Sequence, residues 1–279
     1  MTSISSSDSV VRLRHLAVGY AHRAVASQLD ATLAAGTLCA LLAPNGSGKS
    51  TLLRTMAALQ RPLEGQVEWF GHSATLMTPG EMARTVSIVL TQRPEAPSLG
   101  VKQVVEMGRI PYAGCFRTVT ADDRRRVEEA MELTQTLPLA DRRVGTLSDG
   151  ERQRVFVAKA LAQATPAILL DEPTAFLDFP SKVEMFRLLC RLAHSEGRTV
   201  VVSTHDVELA LQFADHLWLL APKGLVGGTP RQLAADGSIC RFFQAEGLRF
   251  DAATLRFNID AACPHQKNNT QIPSPLSSI

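Results

Sequence analysis

Apolar residues change their period several times along the chain. VVRLRHLAVGY (10–20) and AVASQLDATL (24–33) alternate apolar and polar positions, which predicts two strands of a small antiparallel sheet. TLCALLAP (37–44) is a continuous apolar run, the pattern of a buried parallel strand, and it enters a glycine-rich turn directly. KSTLLRTMAAL (49–59) then has helical spacing and no internal breaker. GQVEWFG (65–71) reads as a strand, Thr78-Pro79-Gly80-Glu81 as a helix start with a capping box, and SIVLTQ (87–92) as a further strand. For about fifty residues the spacing becomes helical, in VKQVVEMGR (101–109) and ADDRRRVEEAMELTQTL (121–137), which predicts a helical subdomain inserted in an α/β core.

Strands and helices alternate again from Pro166. AILLDEP (167–173), RTVVVSTHD (198–206) and HLWLLAP (216–222) are the strands; KVEMFRLLCRLAHSEG (182–197) and VELALQFA (207–214) are the helices. That alternation predicts a parallel sheet covered on both faces. Past Gly237 the pattern weakens: RFFQAEGLRFDAATLRFNIDAAC (241–263) suits a strand pair, and the tail from Pro264 is polar enough to predict disorder. The expected organisation is a nucleotide-binding domain over 9–237 with its helical subdomain at about 96–150, an extension over 238–263, and a disordered tail over 264–279.

Composition narrows the class. With 279 residues and 45% hydrophobic content the chain can bury a sizeable core. Its formal charge of +2 gives no electrostatic case for nucleic acid or an anionic membrane surface. The five cysteines lack C-x-x-C spacing, so neither a zinc cluster nor a disulfide framework is predicted. Arg124-Arg125-Arg126 is flanked by Asp122, Asp123, Glu128 and Glu129 and reads as a solvated helix face rather than a phosphate patch. The opening MTSISSSDS has no apolar core, and no run approaches the ~20 residues of a membrane span; a soluble chain is expected.

Three stretches carry chemistry. LLAPNGSGKST (41–51) lies between a strand and a helix, as a phosphate-binding loop requires, although Ala43 stands where the pattern G-x-x-x-x-G-K-[ST] has glycine. Pro44, Asn45, Gly46, Ser47 and Gly48 form the turn; Gly46 and Gly48 let backbone N–H groups converge on phosphates, Lys49 reaches the terminal phosphates, Ser50 suits Mg²⁺, and Thr51 adds a hydroxyl. Ala43 precedes proline, which favours extended backbone that alanine tolerates. In AILLDEP, Asp171 and Glu172 emerge together where a buried strand ends, suited to holding Mg²⁺ and to polarising water respectively. LSDGERQ (147–153) starts a helix with a Ser148/Glu151 capping box.

LSDGERQ, placed about twenty residues before the Asp-Glu strand, resembles the LSGGQ signature of ATP-binding cassette (ABC) proteins, and the other marks of that family fall in order. Tyr20 matches the adenine-stacking aromatic, Gln92 the Q-loop, Asp178 in AFLD the D-loop and His205 in STHD the switch histidine. The resemblance covers about residues 10–235. It implies an α/β P-loop NTPase (RecA-like) core with an antiparallel β subdomain and a helical insertion, binding ATP and Mg²⁺, the metal held by Ser50, Gln92 and Asp171. It implies Glu172, His205 and Gln92 as catalytic residues, and a head-to-tail dimer in which Ser148 and Gly150 reach the nucleotide on the partner's Lys49 beside Asp178. Asp149 and Glu151 depart from the family's Gly and Gln; Asp149 is expected to face solvent or the membrane subunit.

VVEMGRIPYAG, LADRRVGTLSDGERQRVFVAKALAQ and LLDEPTAFLDF resemble the ATP-binding subunits of importers for iron-siderophores, haem or cobalamin. That resemblance implies a second, identical ATP-binding subunit, a polytopic membrane permease docking near Gln92 and 108–117, an indirect substrate-binding protein, no nucleic acid, and a place on the cytoplasmic face of the membrane. The ATPase of an exporter and a soluble non-transport ABC ATPase are the alternatives.

Overall fold

The computed structural model describes residues 9–21, 23–91, 97–112, 119–244 and 247–259. Two long strands, β1 (Ser9–Tyr20) and β2 (Arg23–Ala34), pair antiparallel. After β3 (Leu38–Leu42) and helix α1 (Lys49–Met56), β4 (Glu64–Trp69) returns to the free edge of β1 and β5 (His72–Ser73) pairs with β4. The resulting four-stranded order is β2-β1-β4-β5. Helix α1 stops at Met56, short of the Leu59 that its pattern predicts, because Ala58 turns left-handed at φ 54°.

The second sheet gathers strands from the whole chain. Helix α2 (Pro79–Thr85) leads into β6 (Val86–Val89), and the helical subdomain follows as α3 (Val101–Glu106), a 3₁₀ turn (Met107–Tyr112), α4 (Ala121–Leu133) and α5 (Asp149–Ala162). Then come β7 (Ala167–Asp171), α6 (Phe179–His194), β8 (Thr199–Ser203), α7 (Val207–Phe213) and β9 (His216–Leu220). Strand β10 (Leu225–Gly228) pairs antiparallel with β9, and the order β10-β9-β3-β8-β7-β6 is parallel from β9 to β6.

The two-residue period of a strand divides the interior into two cores. Leu38, Ala40 and Leu42 of β3 join Ile168, Leu170, Val200 and Val202 in a core shared with the helical subdomain. Cys39 and Leu41 join Leu169, Val201 and Trp218 in a core capped by α1 and the antiparallel sheet. Because the parallel strands share one direction, the ends of β3, β7 and β8 open on a single edge, which is where a ligand crevice forms.

The chain ends with α8 (Pro230–Ala235), α9 (Ser238–Phe242) and a hairpin of β11 (Leu248–Asp251) and β12 (Arg256–Ile259). The hairpin matches the expected strand pair, whereas β10, α8 and α9 have no clear sequence pattern. Ile239 is fully buried in the first core, and Phe243 packs edge-on against Phe257. The expected disordered tail lies outside the described residues. Cys39, Cys190 and Cys240 are free thiols.

Candidate nucleotide-binding site

The site begins with the turn between β3 and α1. Gly46 has φ +75° and Gly48 φ +97°, both left-handed, and a Cβ on Gly48 would sit 3.0 Å from Val25 Cγ1. Ser47 closes the turn, its hydroxyl donating to the Pro44 carbonyl at 2.6 Å, while Pro44, Asn45 and Gly46 stay exposed. Gly48 is the N-cap of α1 and supplies no side-chain cap, so the helix offers its first N–H groups and its positive dipole end to the loop. Ala43 is buried and takes no positive φ, as its place before proline predicts.

Lys49 is almost wholly buried. Its Nζ donates to the Ala43 carbonyl at 3.1 Å, lies 3.2 Å from His205 Nε2 and 3.8 Å from Glu172 Oε1. Burial draws the ammonium below the ordinary lysine pKa, and the Glu172 and Asp171 carboxylates oppose that shift. Glu172 Oε1 is also 2.7 Å from His205 Nε2. That nitrogen can donate to Glu172 or accept from Lys49, one at a time, so carboxylate and ammonium compete for it.

Backbone strain aims the carboxylate. Glu172 has φ +50°, which costs roughly 1–2 kcal/mol for a non-glycine residue. Its N–H is held by the Ser203 hydroxyl at 3.0 Å and the Ser203 carbonyl at 3.1 Å. Ser203 also donates to Asp171 Oδ1 at 2.8 Å, and Thr91 donates to the Asp171 carbonyl at 3.1 Å. Ser203 and Thr91 thus support the site although neither was singled out in the sequence. Ser203 stands two residues before His205 within STHD, which is the signal that could have found it.

These residues suit a magnesium nucleotide. The glycine turn has no Cβ to block a phosphate, and a buried lysine faces it. Tyr20, half exposed at the end of β1, accepts a hydrogen bond from Thr51 Oγ1 at 3.3 Å and presents a ring beside the loop. No cluster of three His, Cys, Asp or Glu side chains able to hold a metal occurs among the described residues; Ser50 and Asp171 are the described members of the expected cation set, which phosphate oxygens would complete. Gln92 lies outside the described residues.

The family model for the ABC transporter matches residues 26–175, more than half of the chain and inclusive of the phosphate loop, Ser148 and Glu172. The chain belongs to the ABC transporter family. Among relatives of this cassette, the achromobactin transport ATP-binding protein of Dickeya dadantii is 40% identical over 78% of each chain. The iron(3+)-hydroxamate import ATP-binding protein of Bacillus subtilis is 37% identical over 83% of this chain and 86% of its own. Among solved structures, an inward-facing metal-chelate type ABC transporter superposes with TM-score 0.73 at 28% identity, covering 85% of this chain and 89% of that one. A bacterial ABC transporter cassette solved as a dimer gives 0.71 at 26%, over 79% and 98%.

The other predicted site residues of this cassette belong to the start of α5 and the loop before α6. Ser148 caps α5 by accepting from the Glu151 N–H at 3.2 Å, and Glu151 returns the bond to the Ser148 N–H at 2.8 Å. Among the described residues, no hydrogen bond joins Ser148 or Gly150 to the phosphate loop. A Cβ on Gly150 would meet Leu177 Cδ2 at 3.2 Å, so the helix start packs on the loop carrying Asp178. Asp178 caps α6 through the Ser181 N–H at 3.1 Å, and the Ser181 hydroxyl, together with that N–H, holds its carboxyl below the ordinary range. Asp149 is exposed and 3.5 Å from Arg152.

Proposed function

We propose that this ABC ATPase powers an importer of the iron-siderophore class, working with a polytopic membrane permease and a second copy of itself. The observation that carries the ATPase reading is the convergence of Lys49, His205 and Glu172 at the shared edge of three parallel strands. The names of the achromobactin and ferric-hydroxamate relatives support the cargo class. A ferric chelate is recognised by the permease and its binding protein, and this chain acts from the cytoplasmic face. Among its described residues no helix is long and apolar enough to cross a membrane.

ATP is held through Tyr20 at the base and through Pro44 to Thr51 at the phosphates. Ser50, Gln92 and Asp171 would hold Mg²⁺, Asp171 directly or through water, and the ion would supply neutralisation of the phosphate charge. Glu172 takes the proton of the attacking water as its oxygen bonds to the γ-phosphorus and the bond to the bridging oxygen breaks, giving ADP and phosphate. His205 and Gln92 orient the water and the γ-phosphate, and Lys49 balances the developing charge. Ser148, Gly150 and Asp178 serve the site of the partner cassette.

Steady-state hydrolysis tests the reading. Glu172→Gln should bind ATP normally and lose about 10² to 10⁴ in kcat. Turnover near the wild-type rate would exclude Glu172 as the base.

A further inference from the structure

One carboxylate outside the nucleotide loop joins three segments of the site. Asp206 is the N-cap of α7, yet it makes no side-chain bond to that helix. Its Oδ2 instead accepts from Thr174 Oγ1 at 2.7 Å and lies 3.5 Å from Thr204 Oγ1, and its Oδ1 faces Lys182 Nζ at 2.8 Å. Thr174 is buried and stands two residues after Glu172. Lys182 lies on the first turn of α6, its N–H bonded to the Asp178 carbonyl at 2.9 Å. Asp206 itself follows His205.

We propose that Asp206 is a positioning residue that ties the Asp178 loop to the His205–Glu172 pair. The Lys182 and Asp206 side chains are 24% and 25% exposed, so water screens their attraction only in part. Through Lys182 the carboxylate fixes the start of α6, and through Thr174 it fixes the backbone leaving Glu172. Displacement of the Asp178 loop, on the face offered to a partner cassette, therefore moves His205 against Glu172. A shift of about 1 Å at such a pair can cost 10²-fold in rate without changing substrate affinity. The proposal rests on Glu172 and His205 acting on the attacking water.

Steady-state ATP hydrolysis by the full chain, with melting temperatures measured alongside, tests it on Asp206→Asn, Lys182→Met, Lys182→Arg, the Asp206→Asn/Lys182→Met double variant and Glu172→Gln. Asp206→Asn and Lys182→Met should each lower kcat by about tenfold or more with KM for ATP within about twofold, a split that lost binding would not give. The double variant should be no slower than the slower single variant, because both break one link, and Lys182→Arg should recover most of the rate. Should Asp206→Asn melt early, Lys182→Met on the partly exposed helix face decides alone. Rates within twofold of wild type for Lys182→Met, or losses that multiply in the double variant, overturn the proposal. If Glu172→Gln still turns over, the underlying reading fails; if it is inactive while Lys182→Met is not, only the role of Asp206 fails.

Discussion

Gly48 and Ala43 sit in the same loop under opposite demands. Gly48 needs φ +97° and has Val25 Cγ1 3.0 Å from where a Cβ would go, so Gly48→Ala carries about 1 kcal/mol or more of backbone strain plus a tight contact. Nucleotide titration should show at least a tenfold loss of ATP affinity; unchanged affinity would mean that the loop does not hold phosphate in this geometry. Ala43 needs no positive φ, and its carbonyl, which any residue supplies, is what meets Lys49. Ala43→Gly should leave ATP affinity within about threefold, since relieving no strain yields no gain. The need for glycine at 46 and 48 and the ordinary backbone of Ala43 were legible because they follow from local backbone rules. The left-handed φ of Glu172 was not legible, because the Ser203 hydrogen bonds that hold its N–H form across the sheet.

At the scale of elements, the 3₁₀ turn Met107–Tyr112 shows why glycine precedes arginine in GRIPY. A Cβ on Gly108 would stand 2.3 Å from the Lys159 carbonyl, so only glycine lets the turn lie against α5. Arg109 then reaches across to donate to the carbonyl of Ala162, at the C-terminal end of α5, at 2.9 Å. It also pairs with Asp123 at 2.8 Å and stacks on Tyr112 at 4.1 Å. The residue pattern ran helical spacing on through Arg109 and did not show this turn, since a packing partner fifty residues away leaves no local mark. The neighbouring arginine run behaves as its charges suggest: Arg125 pairs with Asp122 and Glu129 on an exposed face. Local capping boxes at Thr78 and Ser148 were equally readable.

The Arg109 bond first, with those from the Thr120 hydroxyl and N–H, holds the Asp123 carboxyl down to about 2 from an ordinary 3.8. A depressed folded-state pKa stabilises above the unfolded value and ceases to do so as pH falls through the folded one. The melting-temperature advantage of wild type over Asp123→Asn should therefore be full at neutral pH, shrink below about 4 and vanish near 2. An advantage independent of pH would show that charge is not what Asp123 contributes. Arg109→Lys keeps the charge but loses the forked geometry, and should cost about 1–3 kcal/mol in denaturant unfolding.

For the molecule as a whole, the order of motifs carried most of the architecture, because a strand, glycine loop and helix followed by alternating strands and helices permit few topologies. Strand β10, half of it glycine, and the short helices near the end escaped notice, being too brief to show a period. In the proposed reading Ser148 serves the nucleotide of a second cassette, which makes function a property of an assembly. Glu172→Gln should consequently dimerise in ATP more persistently than wild type by light scattering, having lost the step that reopens the pair; a variant that stays monomeric at saturating ATP would argue against closure by a second copy. The most direct test of the transport claim is uptake of a radiolabelled ferric siderophore by native cells deleted for this chain. Restored uptake with the wild-type chain and none with Glu172→Gln is expected; uptake that survives the deletion, or that Glu172→Gln restores, would contradict it.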